Sequence, residues 1–330
     1  MVQIALTGDV MLGRLVDQSV IQNRSVRPEA LWGDVLPLMR AADCRLINLE
    51  CVISSQGEEW HPATKAFHFR ASPRALEFLQ VAKIDGVTLA NNHVLDYGAE
   101  ALTDCLARLD RSGIKRTGAG ATLEEALTPA LFEVPEGCVA VVALTDNEPD
   151  WDVTKTTPGI NYVVYHDRGL VEPYRSRMAQ AVAYAGRQAD LVIVSAHVGP
   201  NWGTPSRGMQ GLAHDLIDLG ADLYWGHSNH TPQGIECYKG KAILYSTGDF
   251  MDDYWVDQDE RNDLSFLFML EGEAKRSSRI RLYPVRIENF SVRLADEQEW
   301  QFLQRTMQAK CKVFGTTMDV EGQVGTITVK

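Results

Sequence analysis

The sequence predicts a single two-sheet α/β domain over residues 1–330, mainly parallel, with an antiparallel part in its last third. Two observations support this fold class. Short apolar runs alternate with longer amphipathic segments along most of the chain, which is typical of parallel strands connected by helices. In the last third, apolar runs follow one another without long helices between them. The chain shows no internal repeat and no Gly/Ser-rich linker, so the pattern does not divide it into two domains.

The predicted strands are the short apolar runs. Each is about the length of a strand, and most are rich in Leu or in β-branched residues, as buried strands are. In chain order they are Val2–Leu6, Arg45–Leu49, Gly86–Leu89, Val139–Leu144, Asp190–Ser195, Asp222–Trp225, Ala242–Tyr245, Leu264–Leu270 and Ile280–Ile287. The last three runs are assigned to the antiparallel part. Because proline cannot donate to a β-ladder, Pro284 predicts that the last run lies at a sheet edge.

The predicted helices are segments whose apolar residues recur at helical spacing. They are Ala30–Ala42, Pro73–Ala82, Ala99–Ser112, Tyr174–Gln188 and Gly208–Leu219. The stretches 146–170 and 252–263 are rich in Asp, Thr, Pro and Asn, and we expect loops there.

The composition excludes several classes of function. The formal net charge is −12, whereas nucleic acid and anionic lipid attract basic surfaces, so we expect no nucleic-acid partner. The first ten residues contain no basic residue, and no apolar run is long enough to cross a bilayer. We therefore expect a cytoplasmic protein without a membrane span. The six cysteines are scattered without a CxxC motif, and we expect free, mostly buried thiols.

Polar side chains that could act chemically follow six of the predicted strands. Because ligands bind beyond the carboxyl ends of the strands in open α/β folds, we expect these side chains on one rim. Together they offer carboxylates, an amide and imidazoles, which are the groups of a metal site or an acid–base site. They are Asp9, Glu50, Asn92, His93, His197, His227, His230 and Asp249.

Taken singly, each of these residues has an ordinary structural explanation, because an Asp after a strand is usually a turn or cap residue. The joint pattern is harder to explain in that way. The chain has eight histidines, and four of them fall at predicted strand ends. Of the others, His61, His68 and His214 are expected to be solvated or structural, and His166 has no assigned role.

The order of these motifs resembles that of the CapA family, which is named for poly-γ-glutamate capsule synthesis. The resemblance runs from about residue 1 to residue 270 and implies a two-sheet αββα sandwich of the calcineurin-like metallophosphatase type. Residues 271–330 are then a C-terminal strand and tail extension. The motifs are Gly8-Asp9-Val10-Met11-Leu12-Gly13-Arg14, Asn48-Leu49-Glu50, Asn91-Asn92-His93, Asp96-Tyr97-Gly98, His197-Val198-Gly199, Gly226-His227-Ser228-Asn229-His230, Gly234-Ile235-Glu236, Tyr238-Lys239-Gly240-Lys241 and Tyr245-Ser246-Thr247-Gly248-Asp249-Phe250.

The resemblance implies metal ligands. Two metals share a bridging carboxylate after the second strand in this superfamily, and Glu50 takes that place. Asp9 corresponds to the first-strand ligand, with which His230 belongs. The other implied ligands complete the second metal site together with Glu50; they are Asn92, His197 and His227.

The resemblance also implies catalytic groups. His93 corresponds to the acid that protonates a leaving group, and Asp96 is the candidate to orient it, as carboxylates often orient histidines. Asp9 and His230 are further catalytic candidates. For substrate binding, we predict Lys65, whose ammonium could meet a carboxylate or phosphate, and Asp249, which stands where many relatives have Asn. Trp202 is a candidate aromatic wall of the site, and Arg14 and Arg207 are weaker basic candidates.

Several departures from the superfamily pattern favour one metal over two. Met11 stands where the first motif normally offers His, and a thioether is a poor ligand for a hard metal. Glu50 replaces a shorter Asp, and two residues rather than one separate His227 from His230. The remaining ligand set admits Mn, Zn, Fe or Mg. A metal-free site, with Asp9 and His230 as a facing acid–base pair, is the alternative.

These residues leave three hypotheses for the function. The first is metal-assisted hydrolysis of an amide or phosphoester in poly-γ-glutamate or related peptide metabolism. The second is metal-independent epimerisation of a peptide residue by Asp9 and His230. The third is a non-enzymatic capsule-assembly factor that binds poly-γ-glutamate or its synthase, which the negative net charge disfavours unless the pocket is locally basic.

Overall fold

The computed structural model describes residues 1–61, 65–135, 137–273 and 276–329. Its strands, labelled β1 to β22 in chain order, are Val2–Val10, Cys44–Leu49, Val52–Ile53, Arg70–Ala71, Gly86–Thr88, Lys115–Thr117, Ala119–Gly120, Ala130–Val134, Gly137–Thr145, Gly159–Ile160, Tyr165–His166, Gly169–Leu170, Leu191–His197, Leu223–His227, Ile235–Tyr238, Lys241–Leu244, Asp249–Met251, Leu264–Glu273, Arg276–Glu288, Ser291–Leu294, Asp319–Glu321 and Val324–Thr328.

The helices lie between these strands and after them. The α-helices, labelled α1 to α8 in chain order, are Arg14–Val16, Leu36–Ala41, Ala75–Val81, Gly98–Ser112, Leu123–Leu127, Tyr174–Gln188, Arg207–Asp218 and Glu297–Val313. Short 3₁₀ turns span Pro28–Leu31, Gly33–Val35 and Pro149–Trp151, and a π turn spans Asp17–Ile21.

Two large sheets form the centre of the molecule. The first has the strand order β21-β22-β19-β18-β1-β2-β5-β6, with β17 also on β1 and β20 also on β19. The second has the order β15-β16-β14-β13-β9-β8. Strand β1 is parallel to β2 and β17, and β13 is parallel to β9 and β14. Strands β18 and β19 are antiparallel to their neighbours, as the last third of the sequence predicts.

Alternate residues of each strand face different apolar layers, because side chains along a strand point to opposite faces. Leu6 of β1 and Ile193 of β13 meet in the layer between the two sheets. Ala5 faces the layer beneath α3 and α4, and Val194 faces the layer beneath α6 and α7. Helices therefore cover both outer faces, which confirms the two-sheet αββα sandwich.

Two strand predictions were wrong in detail. Strand β16, which contains most of the run Ala242–Tyr245, is parallel to β14 in the second sheet and antiparallel only to β15. The last run is not an edge strand, because β19 pairs with β18 on one side and with β20 and β22 on the other. Pro284 lies between the residues that pair with β22 and those that pair with β20, so its missing N–H interrupts neither pairing.

The helix predictions are close, with one exception. Helix α6 has the predicted bounds, and α3, α4 and α7 differ from theirs by one or two residues at an end. The predicted helix Ala30–Ala42 is instead two 3₁₀ turns followed by α2. The left-handed backbone at Gly33, with φ +48°, prevents a continuous α-helix there. The free cysteines are confirmed, with Cys44, Cys51, Cys105 and Cys311 buried.

Helix α8 was not predicted, since residues 271–330 were expected to form only a strand and a tail. It begins with a capping box between Asp296 and Glu299. Its apolar side joins the layer between the sheets through Trp300, Leu303 and Met307. The Glu299 carboxylate also accepts hydrogen bonds from the guanidinium groups of Arg286 on β19 and Arg293 on β20. One carboxylate therefore ties the helix start to the first sheet.

We expect Glu299→Gln to lower the free energy of unfolding at pH 7 by on the order of 2 kcal/mol. Burial alone would raise the pKa of Glu299, but Arg293 and Arg286 lower it from 4.5 to about 2. The ionised group therefore stabilises the fold above pH 4.5, and that contribution is lost as the pH falls towards 2. Urea unfolding at pH 7 and pH 3 measures this. Glu297→Gln, at an exposed position of the same turn, is the control; equal destabilisation by both variants would contradict the expectation.

Candidate metal and acid–base site

The carboxyl ends of β1, β2, β13 and β14 meet at one rim, as the sequence predicts for parallel strands. His197 and His227 end neighbouring strands and are partners in register. A cavity of about 340 Å³ opens at this rim. The predicted site candidates that line it are Glu50, Asn92, His93, His197, His230, Trp202 and Arg14.

Asp9 lies buried behind this cavity among several donors. Its Oδ1 accepts a hydrogen bond from Asn48 Nδ2 at 2.8 Å and lies 2.8 Å from His227 Nδ1. Its Oδ2 accepts from the backbone N–H of Ser228 at 3.2 Å and lies 3.7 Å from His197 Nδ1. Burial would raise the pKa of Asp9, but His197 and His227 hold it well below its ordinary value, so the carboxylate stays ionised.

Asp9, Glu50 and His197 form a compact group of possible metal ligands. One ligand atom from each lies within 4.8 Å of the others. Glu50 Oε1 is 3.6 Å from His197 Nε2, and the Tyr254 hydroxyl donates to Glu50 Oε2 at 3.0 Å. Burial and the nearby Asp9 carboxylate raise the pKa of Glu50 well above its ordinary value. Ionised together, the two buried acids repel each other, and a cation between them would offset that repulsion.

Two further residues of the predicted ligand set each have a buried polar atom without a hydrogen-bond partner in the part of the chain that the structure describes. Asn92 Oδ1 and His227 Nε2 are both buried, and each lacks a hydrogen-bond partner among the described residues. Buried polar atoms normally have a partner, so an unpaired amide oxygen and imidazole nitrogen at one rim are consistent with ligand positions. Oxygen and imidazole donors of this kind suit Zn, Mn or Fe.

Met11, which stands where the first motif normally offers His, contributes no ligand to this group. The Met11 side chain is buried in the apolar layer beneath the helices. Its Sδ accepts a hydrogen bond from the backbone N–H of Gly13 at 3.1 Å. The thioether is thus occupied within the core.

His93 and Asp96 form the contact expected of an oriented proton-transfer group. His93 Nδ1 donates to Asp96 Oδ2 at 2.6 Å, and the backbone N–H of Phe69 donates to the same oxygen at 2.6 Å. The His93 ring also stacks on Phe69, with 3.7 Å between ring centroids. Burial lowers the pKa of His93 well below its ordinary value, which favours a neutral ring. The Asp96 carboxylate beside Nδ1 then favours the tautomer with its N–H on that nitrogen.

Lys65 does not line the cavity wall, although it was predicted to bind substrate. Its side chain is only 8% exposed, and its ammonium lies 3.1 Å from Asp96 Oδ1 and 2.8 Å from Glu148 Oε1. It also donates to the backbone carbonyl of Asn92. In this position Lys65 supports the carboxylate that orients His93, because its charge is already paired.

Asp249, the other predicted substrate-binding residue, is fully buried and contacts His230. Its Oδ1 accepts from His230 Nδ1 at 2.9 Å. Burial would lower the pKa of His230, but Asp249 raises it to about 10. The structure thus pairs His230 with Asp249, and pairs Asp9 with His227, rather than bringing Asp9 and His230 together as a facing pair.

The pairing of β1 with β17 produces this arrangement. The tripeptide Thr-Gly-Asp lies near the end of β1 and again at the start of β17, where only its Asp belongs to the strand, and Asp9 and Asp249 are partners in the parallel register. The backbone N–H of Asp9 donates to the Gly248 carbonyl at 2.8 Å. A Cβ at Gly8 would lie 2.1 Å from that carbonyl oxygen, so only glycine allows the two strands to approach so closely.

Comparison with known proteins identifies the family. The family model described as "Bacterial capsule synthesis protein PGA_cap" matches residues 3–254. The chain belongs to this family, the CapA family. A relative in Mycobacterium tuberculosis, named "Probable polyglutamine synthesis accessory protein", is 32% identical over 95% of this chain and 92% of its own length. The "PGA biosynthesis protein CapA" of Bacillus subtilis is 28% identical over 76% of this chain and 63% of its own length.

A solved structure is also similar to this CapA-family chain. It is a purple acid phosphatase from yellow lupin seeds, 10% identical, with a TM-score of 0.36 over 90% of this chain and 54% of that one. A TM-score of that size is too low to carry site details from one protein to the other. Within the part of the chain that the structure describes, no helix is long and apolar enough to cross a membrane.

The structure of this CapA-family protein adds site residues that sequence reasoning missed. The side-chain nitrogen Nδ2 of Asn48 donates to Asp9 Oδ1 and also lies 3.1 Å from His197 Nδ1. Its position two residues before Glu50 was a usable signal, because alternate strand residues share a face. Tyr254 reaches Glu50 from a long loop, and no periodicity in the sequence indicates that contact.

Proposed function

We propose that this CapA-family protein hydrolyses an amide bond in poly-γ-glutamate or a related peptide, with the help of one divalent cation. The observation that carries the proposal is the convergence of Asp9, Glu50 and His197 within 4.8 Å, beside a cavity that also exposes His93. The names of the relatives, which refer to polyglutamine synthesis and PGA biosynthesis, favour an amide substrate over a phosphoester.

In this proposal, the cation is held by Asp9, Glu50 and His197, with Asn92 and His227 as further donors. A bound cation of this type polarises a substrate carbonyl and lowers the pKa of a bound water. The other residues position these ligands: Tyr254 fixes Glu50 through its hydroxyl, and Asn48 fixes Asp9.

His93 is the proposed proton-transfer group. It lines the cavity, and its contact with Asp96 holds the ring so that Nε2 remains for the substrate. Hydrolysis requires one proton to leave the attacking water and one to reach the departing amine as the C–N bond breaks, and a positioned imidazole can carry both. Lys65 and Phe69 hold Asp96 in place, so they act through His93 rather than on the substrate.

Metal-independent epimerisation is a second candidate, and one observation favours it. His93 and His230 both line the cavity, and each has a carboxylate at its Nδ1. Two such imidazoles could remove a proton from an α-carbon and return one to the opposite face. This pair replaces the Asp9 and His230 pair suggested by the sequence, since Asp9 lies behind the cavity in contact with His227.

One experiment separates these candidates. The purified protein is incubated in deuterated water with γ-linked oligoglutamate and with blocked α-linked peptides, with and without chelator, and the products are analysed by mass spectrometry. We expect cleavage that chelator abolishes and Zn or Mn restores, together with about one divalent ion per chain. Deuterium at an α-carbon without cleavage, unaffected by chelator, would instead establish the epimerase. If neither cleavage nor deuterium exchange occurred, both enzymatic candidates would be contradicted and the non-enzymatic capsule-assembly alternative would be favoured.

A further inference from the structure

The mouth of the site cavity carries an unusual share of the exposed aromatic surface. Trp255, Phe67 and Trp202 are 89%, 61% and 41% exposed, and all three line the cavity that contains Glu50 and His93. They come from three separate segments without regular secondary structure. Single exposed apolar side chains are common on protein surfaces, whereas several large ones around one opening mark a place where an apolar group binds.

The aromatic surface continues from the mouth to the reacting groups. The ring of Trp202 is 5.3 Å from that of His230, edge to face, and the Tyr254 ring is 5.1 Å from His230 on another side. Phe69 stacks on His93 and lies 5.8 Å from Tyr254. An aromatic or large apolar group held at the mouth would therefore lie directly beside both imidazoles of the site.

The charges around the cavity disfavour a substrate that carries many carboxylates. Glu50 lines the cavity, and Asp9, Asp249 and Asp252 are buried near it. The cations on the wall are Arg14 and His230, and both are already paired. The Arg14 guanidinium contacts both oxygens of Asp253, at 2.9 and 3.1 Å, and His230 Nδ1 lies 2.9 Å from Asp249 Oδ1. Among the described residues that line this opening, a polymer with a carboxylate on every residue would therefore find no side-chain cation that is not already paired with an acid.

We infer that the substrate carries an aromatic or large apolar side chain next to the reacting bond, and that Phe67, Trp202 and Trp255 form the subsite that binds it. This inference rests on the proposed function only in taking the substrate to be a peptide. Within that class it selects peptides with aromatic or apolar residues over poly-γ-glutamate itself. The same subsite would serve hydrolysis or epimerisation, because it positions a side chain rather than a bond.

The test measures binding by calorimetry to the full-length protein. The probes are blocked tripeptides, acetyl-Gly-X-Gly-amide, with X as Trp, Phe, Leu, Lys or Glu, and blocked tri-γ-glutamate. We expect the Trp and Phe peptides to bind at least about tenfold more tightly than the Glu peptide and tri-γ-glutamate, as burial of one aromatic ring implies. If either glutamate probe bound most tightly, or if no probe bound at millimolar concentration, the inference would be overturned.

Variants of the rim complete the test. Trp202→Ala and Trp255→Ala are each expected to weaken binding of the Trp peptide by about tenfold. Tyr184→Ala removes a ring that is 46% exposed on α6, away from this cavity, and should leave binding unchanged. Unchanged affinity in both Trp variants would overturn the subsite. Selective binding of the Trp peptide without cleavage or exchange would leave the subsite intact and count against the proposed function. Cleavage of tri-γ-glutamate with an unaltered KM in both Trp variants would support the proposed function and count against the subsite.

Discussion

Glu50→Gln is expected to lower the cleavage activity by about 10³-fold and to reduce the bound divalent metal well below one ion per chain. Glu50 brings one of the two carboxylates of the compact ligand group and lies 3.6 Å from His197. Glutamine keeps the size of the side chain and can still accept from the Tyr254 hydroxyl, so the fold should be retained. The measurements are kcat, elemental analysis and a melting temperature.

Glu236→Gln is a closely matched control for this variant. Glu236 also accepts a tyrosine hydroxyl, from Tyr245 at 2.6 Å, and also lies beside an imidazole, His214 Nε2, at 3.0 Å. It does not line the site cavity. Full activity in Glu236→Gln with loss in Glu50→Gln would assign the effect to the rim. If Glu50→Gln kept its metal and its activity, the proposed ligand group would be wrong.

The second large effect is expected at His93. His93→Ala should lower kcat by roughly 10²- to 10⁴-fold, which is the usual contribution of a positioned proton-transfer group. Metal content should be unchanged, because His93 is oriented by Asp96 and is not part of the Asp9, Glu50 and His197 group. Added imidazole should restore part of the activity, since the removed ring leaves a space of its own shape beside Phe69.

Asp96→Asn distinguishes a positioning role from a merely structural one. It should lower kcat less than His93→Ala does and should shift the pH profile of the reaction, because the carboxylate no longer faces the imidazole. His214→Ala, which removes an imidazole paired with Glu236, is the control and should change neither quantity. A His93→Ala variant that lost metal, or that imidazole did not rescue, would show that His93 acts in another way.

The rim could be predicted because it depends on short-range features of the chain. Parallel strands present their carboxyl ends at one edge of the sheet. A polar residue just after an apolar run is therefore expected at that edge, where Glu50 and His197 lie. Helix α8 was also within reach: Asp296 and Glu299 form the spacing of a capping box, and Trp300, Leu303 and Met307 follow at helical intervals.

The partners within the rim could not be predicted, because they depend on contacts between distant segments. His230 faces Asp249 rather than Asp9 only because β17 pairs with β1 in one particular register. Lys65 lies against Asp96 because an irregular segment crosses the rim there, and no periodicity describes such a segment. Spacing along the chain identified which residues reach the rim, whereas their pairing follows from tertiary structure.

The pairing of β1 with β17 also has a consequence for folding during synthesis. The hydroxyl of Thr247 donates to the carbonyl of Thr7, a contact between residues 240 positions apart in the chain. Synthesis runs from the N-terminus, so Asp9 and Glu50 leave the ribosome long before Asp249 and Tyr254 exist. Until then these carboxylates can remain in water, where their mutual repulsion is weak. The complete rim therefore cannot form until the segment that carries Asp249 and Tyr254 has been synthesised.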